Sequence, residues 1–412
     1  MARRHLIGLL LAVEESWPTA FEAILGRLGP IRYGGEAHEF PTERIVNEPF
    51  DLRARPAYGL VIDRLAWWYA VPREWLKKIA LMDDVYLLNN PFTFQAMEKH
   101  SAYCAMMRLG LKVPATWLIP HKLPPENPRW ETFAERYYPD FDLDAIAEEV
   151  GYPLFMKPFN GGAWVGVTRI TNAEELHVSY DASGERLMHL QAAVDDYEVF
   201  TRSLSIGPQT TVMRYDPSRE WYDRYAPEED FLSPELALEV VSISRLVNAF
   251  FRWELNSCEV IVKDGEARPI DYANASPDLS LASLQYYFPW AISSLAAWCL
   301  FCCVSGRHMA VNQSTRDFFE IGDSDLPYEE KLGRYRALAD DYFEVDAFEA
   351  FKAEALPHLT EVTIDYVESP EFDELLVHVA RVEPKDVQET IIERARGRVA
   401  DWVADQRAAV KG

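Results

Sequence analysis

CEVIVKDGEARPIDYAN, residues 258–274, reads as two strands alternating around Lys263-Asp264-Gly265. Asp-Gly between two apolar runs is a strong hairpin signal, because both residues tolerate the positive φ of a tight turn. Glu259 falls on the first strand and Asp271 on the second, so both side chains project from one face, with Asn274 just beyond. Two acids on an exposed hairpin face would be the plain reading. Here each acid sits among apolar neighbours, Cys258 and Val260 or Ile270 and Tyr272, so neither belongs to a generic charged run. Two carboxylates and an amide on adjacent strands form a hard, oxygen-only set, as magnesium bound to nucleotide phosphates requires.

That hairpin changes the reading of FMKPFNGGAWVGV, residues 155–167. Lys157 ends an apolar strand, and Asn160, Gly161, Gly162 and Gly166 follow it. Bare backbone N–H groups and an ammonium both suit an anion. Alone, the stretch fits an ordinary turn with a surface lysine equally well. It is neither a P-loop nor a dinucleotide fingerprint, because a strand follows where a helix should. With a metal site downstream, Lys157 becomes a phosphate-facing lysine and the glycines a movable lid.

Working outward, HLIGLLLAV (5–13), YGLVID (58–63) and VYLLN (85–89) are apolar strands separated by helical patterns, which indicates a parallel α/β sheet. A helix is predicted over 92–110, and LKVPATWLIP is a further strand closing a first unit at residue 120. Residues 121–141 are rich in proline and aromatics and read as a linker or lid. Strands at PLFMKPF, VGVTRI and LMHLQAAV follow, then a hairpin of YEVFTRSLSIG with QTTVMRY, and a helix opened by Ser233-Pro234. From about residue 315 the chain is acidic and helical.

A chain of 412 residues with 49% hydrophobic residues supports several packed units. Its formal charge of −25 argues against a nucleic-acid partner. The five cysteines show no metal-ligand or disulfide spacing, which fits a reducing cytoplasm. The apolar start reads as a buried strand rather than a signal peptide, and the uncharged run 289–305 is too short and serine-dotted for a membrane span.

The order of these parts over roughly residues 80–305 resembles the ATP-grasp superfamily. MEKHSAYCAMMRLGLKVPAT is similar to the family's first lysine, helix and strand entry, which places Lys99 on the nucleotide. GYPLFMKPFNGGAWVGVTRITNAEEL resembles the second lysine, Lys157, with its flexible loop. LMHLQAAV resembles the segment joining the two halves, where Gln191, the Ala192 carbonyl and the Val194 N–H would meet adenine and Glu198 the ribose. Arg214 in VMRY matches a strand arginine facing phosphate or activated substrate, and Glu259, Asp271 and Asn274 match the metal strands.

The resemblance implies four parts: an N-terminal Rossmann-like parallel α/β domain (1–120), a small lobe with the lid (121–195), a large α+β lobe with the metal site (196–312), and an acidic helical extension (313–412). It implies ATP and Mg2+, with Mn2+ as an alternative, and a ligase joining a small carboxylic acid to an amine through an acyl phosphate, with Lys157 and Arg214 as the catalytic pair. A kinase of the same fold, or a silent nucleotide-binding protein, is the alternative. The expected partners are small molecules, with neither nucleic acid nor membrane. The extension is open to three uses: covering the site, selecting substrate, or a homodimer contact.

Departures from the pattern are visible. Asn274 lies three positions after Asp271 instead of two, Ala192 replaces an acid, the Glu198-to-Arg202 spacing fits the strand poorly, and bulky Trp164 occupies the loop.

Overall fold

The structure is a computed structural model that describes residues 2–94, 98–124, 126–127, 129–137, 140–162, 164–274, 276–312 and 314–411. Four apolar strands, β1 (Ile7–Leu10), β2 (Thr42–Arg44), β3 (Leu60–Asp63) and β4 (Tyr86–Leu88), form a parallel sheet in the order β2-β1-β3-β4. Helices α1 (Ser16–Leu28) and α2 (Ala70–Met82) link successive parts of it. Of the helix predicted over 92–110, the described helical part is α3 (Lys99–Arg108); residues 95–97 lie outside the described residues.

Strand β5 (Thr116–Ile119) does not close the first unit at residue 120. It pairs with Met188–Ala192 and so belongs to the next lobe. That lobe carries a short helix at Trp130–Tyr137, within the expected linker, then α4 (Leu143–Val150), β6 (Leu154–Pro158), β7 (Thr168–Ile170), α5 (Ala173–Asp181) and β8 (Met188–Ala192). Asp142 and Asn172 cap α4 and α5, each side chain accepting an N–H two or three residues into the helix. The sheet is antiparallel in the order β7-β6-β8-β5.

The large lobe is a second antiparallel sheet, β11-β10-β9-β12-β13, built from β9 (Val199–Ile206), β10 (Gln209–Tyr215), β11 (Tyr225–Ala226), β12 (Leu255–Lys263) and β13 (Glu266–Asp271). The predicted Asp264-Gly265 turn joins β12 to β13, with φ of 54° and 70°. Helix α6 (Pro234–Phe251), capped by Ser233, packs on one face of this sheet. Gly207, at the β9–β10 turn, has φ of 56°, and a Cβ there would lie 2.2 Å from the Trp298 ring, so only glycine fits.

Helix α7 (Phe288–Val304) is the core helix, with Trp298, Cys299 and Leu300 fully buried. The apolar segment Leu281–Val304 is long enough to cross a membrane but is 78% buried within the protein. The expected helical extension runs from Arg316 to Lys411. Its aromatics Phe343 and Phe348 pack on Trp298, so they belong to the core. One continuous core joins the first unit, the large lobe and the extension, while the small lobe has a separate core around Ile119, Leu154 and Leu190. The small lobe thus packs on a core of its own.

Candidate functional site

A cavity of ≈ 560 Å³ opens between the two lobes, within the range of a ligand site. Its walls include Lys99, Lys157, Asn160, Gly161 and Gly162 from the small-lobe side, with Gln191, Ala192 and Val194 behind them. Glu259, Asp271 and Asn274 face them from the large lobe. Strand alternation explains this convergence. Glu259 lies directly across from Asp271 on β12 and β13, and Lys157 on β6 lies directly across from His189 on β8.

The Glu259–Asp271 pairing depends on a β-bulge. Val260 pairs with Pro269 while Glu259 pairs with Asp271, so Ile270 is the extra residue. The Ile270 carbonyl accepts the Tyr103 hydroxyl at 2.9 Å and lies 3.4 Å from Lys157 Nζ. This bulge lies before Asp271, so it does not account for the three-residue spacing from Asp271 to Asn274. Asn274 still reaches the site. With its oxygen turned inward, the amide accepts from Arg202 Nη2 at 3.2 Å and Ser257 Oγ at 2.9 Å.

Two ion pairs run through the cavity. Lys99 Nζ donates to Asp271 Oδ2 at 2.6 Å, and Arg202 lies 3.7 Å from Glu259. Lys157, 7% exposed, donates to Gln191 Oε1 at 2.7 Å, and Gln191 is itself anchored on Thr116. Burial pushes the Lys157 ammonium down to about 8, against the pull of Asp271 and reinforced by Lys99. Burial would raise the Asp271 carboxyl, but Lys99 and Lys157 hold it below its ordinary value. Glu259 goes the other way. Its burial raises it, and Arg202 only partly offsets this. His189, stacked on His100 beneath Tyr103, is pushed by burial and its neighbours to about 3 and stays neutral.

Three of the expected residues are not brought to the cavity lining. Arg214 lies across from Thr201, on the opposite strand face from Arg202, and pairs with Glu228 at 2.6 Å near the surface. The cavity arginine is Arg202, across from Glu259, and it was missed because the pairing of β9 with β12 is non-local. Glu198 is exposed at the start of β9, whereas Asp195 lines the cavity. Gly166 turns the loop from behind. Its φ is 74°, and a Cβ would lie 2.5 Å from Arg186 Nη1. Sequence reasoning also missed Trp67, Trp68 and Asp278 in the lining. The tryptophan doublet had a usable signal, since it follows the carboxyl end of a parallel strand.

As a ligand set, Glu259, Asp271 and Asn274 offer only oxygen donors. Among the described residues no cluster of three or more His, Cys, Asp or Glu side chains is placed to hold a metal. Two carboxylates and an amide fit a magnesium ion that takes its remaining ligands from water and phosphate.

No protein-family model matches the chain. It is 29% identical over 136 residues to a D-alanine–D-alanine ligase of Clostridium botulinum, covering 30% of this chain and 42% of that one. It is 35% identical over 89 residues to that of a Thermoanaerobacter species, covering 20% and 25%. The chain thus spans less than half the length of these curated relatives. Among solved structures, the Bacillus anthracis D-alanine–D-alanine ligase complexed with ATP superposes with a TM-score of 0.51 at 14% identity, covering 77% of this chain and 99% of that one. The Vibrio cholerae D-alanyl-alanine synthetase A gives 0.51 at 12%, covering 74% and 98%. These superpositions show the fold: the chain has the ATP-grasp fold.

Proposed function

We propose that the protein is an ATP-dependent ligase that joins a carboxylic acid to an amine through an acyl phosphate. A carboxylate oxygen attacks the γ-phosphorus of ATP, the bond to the β–γ bridging oxygen breaks, and ADP leaves. The amine nitrogen then attacks the acyl carbon, the acyl carbon–oxygen bond breaks, phosphate leaves, and the amine's proton passes to solvent. The observation that carries this reading is the convergence of Lys99, Lys157 and Arg202 with Glu259 and Asp271 in one cavity beneath a glycine loop.

In this reading Lys99 and Lys157 bind the polyphosphate, and the N–H groups around Gly161 and Gly162 lie over the transferring phosphoryl group. Phe155, Val194 and Ile261 supply apolar lining for the adenine. Glu259, Asp271 and Asn274 would hold magnesium, which supplies charge neutralisation between the phosphates. Nucleotide entry exchanges partners: Lys99, now on Asp271, is free to turn to phosphate once that carboxylate is engaged elsewhere. Arg202 stabilises negative charge at the acyl centre, the part first expected of Arg214. Positioning both substrates supplies much of the rate, about 7–11 kcal/mol in well-oriented systems.

The test is release of ADP and phosphate from magnesium-ATP against a panel of acid–amine pairs. A ligase releases both only when acid and amine are present together. ADP without free phosphate would make the protein a kinase. Tight magnesium-ADP binding without turnover on any pair would sink the ligase reading.

A further inference from the structure

Trp67 and Trp68 line the cavity from outside the grasp, on the loop that follows β3 of the parallel sheet. That loop is held firmly. The Asp63 carboxylate accepts both the Leu65 and Ala66 N–H groups at 2.9 Å. Arg64, buried and paired with Glu14 at 2.6 Å, donates to the Pro277 carbonyl at 2.7 Å. The same arginine therefore ties the tryptophan loop to the segment carrying Asp278, which also lines the cavity. Trp67 is wedged edge-on between Phe94 and Trp68, with ring centroids 5.8 and 6.3 Å away. Trp68 nevertheless remains 53% exposed. The lid reaches it, since a Cβ on Gly162 would lie 3.8 Å from Trp68 Cη2.

Asp278 is fixed as well. One oxygen accepts the Ser280 N–H at 2.9 Å and the other accepts the Ser283 hydroxyl at 2.5 Å. The cavity thus has, on one pinned scaffold, a carboxylate and two indole faces beneath the glycine lid. Exposed aromatic surface in a preformed cavity is where a flat apolar group displaces water most effectively. An acceptor of methyl size would leave both indoles wet.

We infer that the amine substrate carries a flat, apolar ring seated against Trp67 and Trp68; it binds as the ammonium on Asp278, gives up one proton to solvent to free the nitrogen lone pair, and loses the second after attack on the acyl carbon. This inference rests on the ligase reading and specifies its acceptor. Gly162 lies beside Trp68, and Trp164 packs edge-on against Phe155 with ring centroids 6.3 Å apart.

The experiment compares phenethylamine with ethylamine as acceptors across the acid panel, and measures binding of each by saturation-transfer NMR with magnesium-ADP present. Phenethylamine should be favoured by about tenfold or more in kcat/KM, in line with what apolar contacts confer. Trp68→Ala and, as a milder change, Trp67→Leu should collapse that ratio. Asp278→Asn should raise the KM for both amines without changing which one is preferred. Turnover with equal or reversed preference would overturn this inference and leave the ligase reading intact. If no pair turns over, the ligase reading fails; tryptophan-dependent phenethylamine binding would still uphold the ring subsite, and its absence would refute it.

Discussion

Lys157 is a buried cation whose proton is held only weakly while the cavity lacks phosphate, and this makes nucleotide binding pH-dependent in a definite direction. In the free protein, burial lowers its pKa from 10.5 to about 8. If a phosphate occupies the site, the adjacent anion returns the lysine towards its ordinary value. The free protein then sheds the proton as pH rises through about 8, while the complex keeps it. Binding therefore takes up a proton and weakens with pH. With a bound value near 10.5, affinity at about pH 9.5 should be about thirtyfold lower than at about pH 7.

Calorimetric titration of ADP and magnesium in two buffers of different ionisation enthalpy reads both the affinity and the proton uptake. Lys157→Met should bind weakly with a flat pH profile. The same gap has a stability side. Between about pH 8 and 10.5 the unfolded chain binds more protons than the folded one, so the free protein should gain up to about 3 kcal/mol as pH rises across that window. A flat affinity profile in the unaltered protein, or a slope that survives Lys157→Met, would refute the reasoning.

Arg202→Lys should lower turnover by about a hundredfold or more, the scale of a lost charge-stabilising donor, whereas Arg214→Ala should stay within about twofold in the same phosphate-release assay. The opposite order would return the role to Arg214. Gly207→Ala should cost at least about 2 kcal/mol, read as a lower urea midpoint, because the new methyl meets Trp298 where φ is 56°. Glu254, 1% exposed, accepts from Tyr86, Trp298 and Tyr342 and lies 3.6 Å from Arg307. Glu254→Ala should cost roughly 3–5 kcal/mol, because it leaves that buried polar cluster without its anion. An unchanged urea midpoint would show that the extension is held by its apolar contacts alone.

Much of the fold was legible because its signals are local. The runs at 5–13, 58–63 and 85–89 are apolar throughout, as strands covered on both faces must be, and Asp264-Gly265 writes its own turn. Strand 116–119 was assigned to the first unit because it follows α3 directly. Its partner lies about seventy residues further on, at Met188–Ala192, and no periodicity within the strand reports a pairing so distant.

The same distinction separates the site residues that could be read from those that could not. Lys157, Glu259 and Asp271 stand out because a charge amid apolar neighbours on a strand needs a partner, and each is indeed buried or half-buried in the cavity wall. Arg202 and Arg214 lie on the two strands of one hairpin, Arg202 between Thr201 and Ser203 and Arg214 between Met213 and Tyr215, so apolar neighbours favour Arg214, the one that does not line the cavity. Only register chooses between them. Thr201 faces Arg214 and Met213 faces Arg202, so the side chain that reaches Glu259 is set by the pairing of β9 with β12, residue for residue, and a one-position slip would exchange the two arginines. An arginine on such a strand can be assigned to the cavity only once its cross-strand partner is known, and here that partner is the carboxylate the hairpin had already marked.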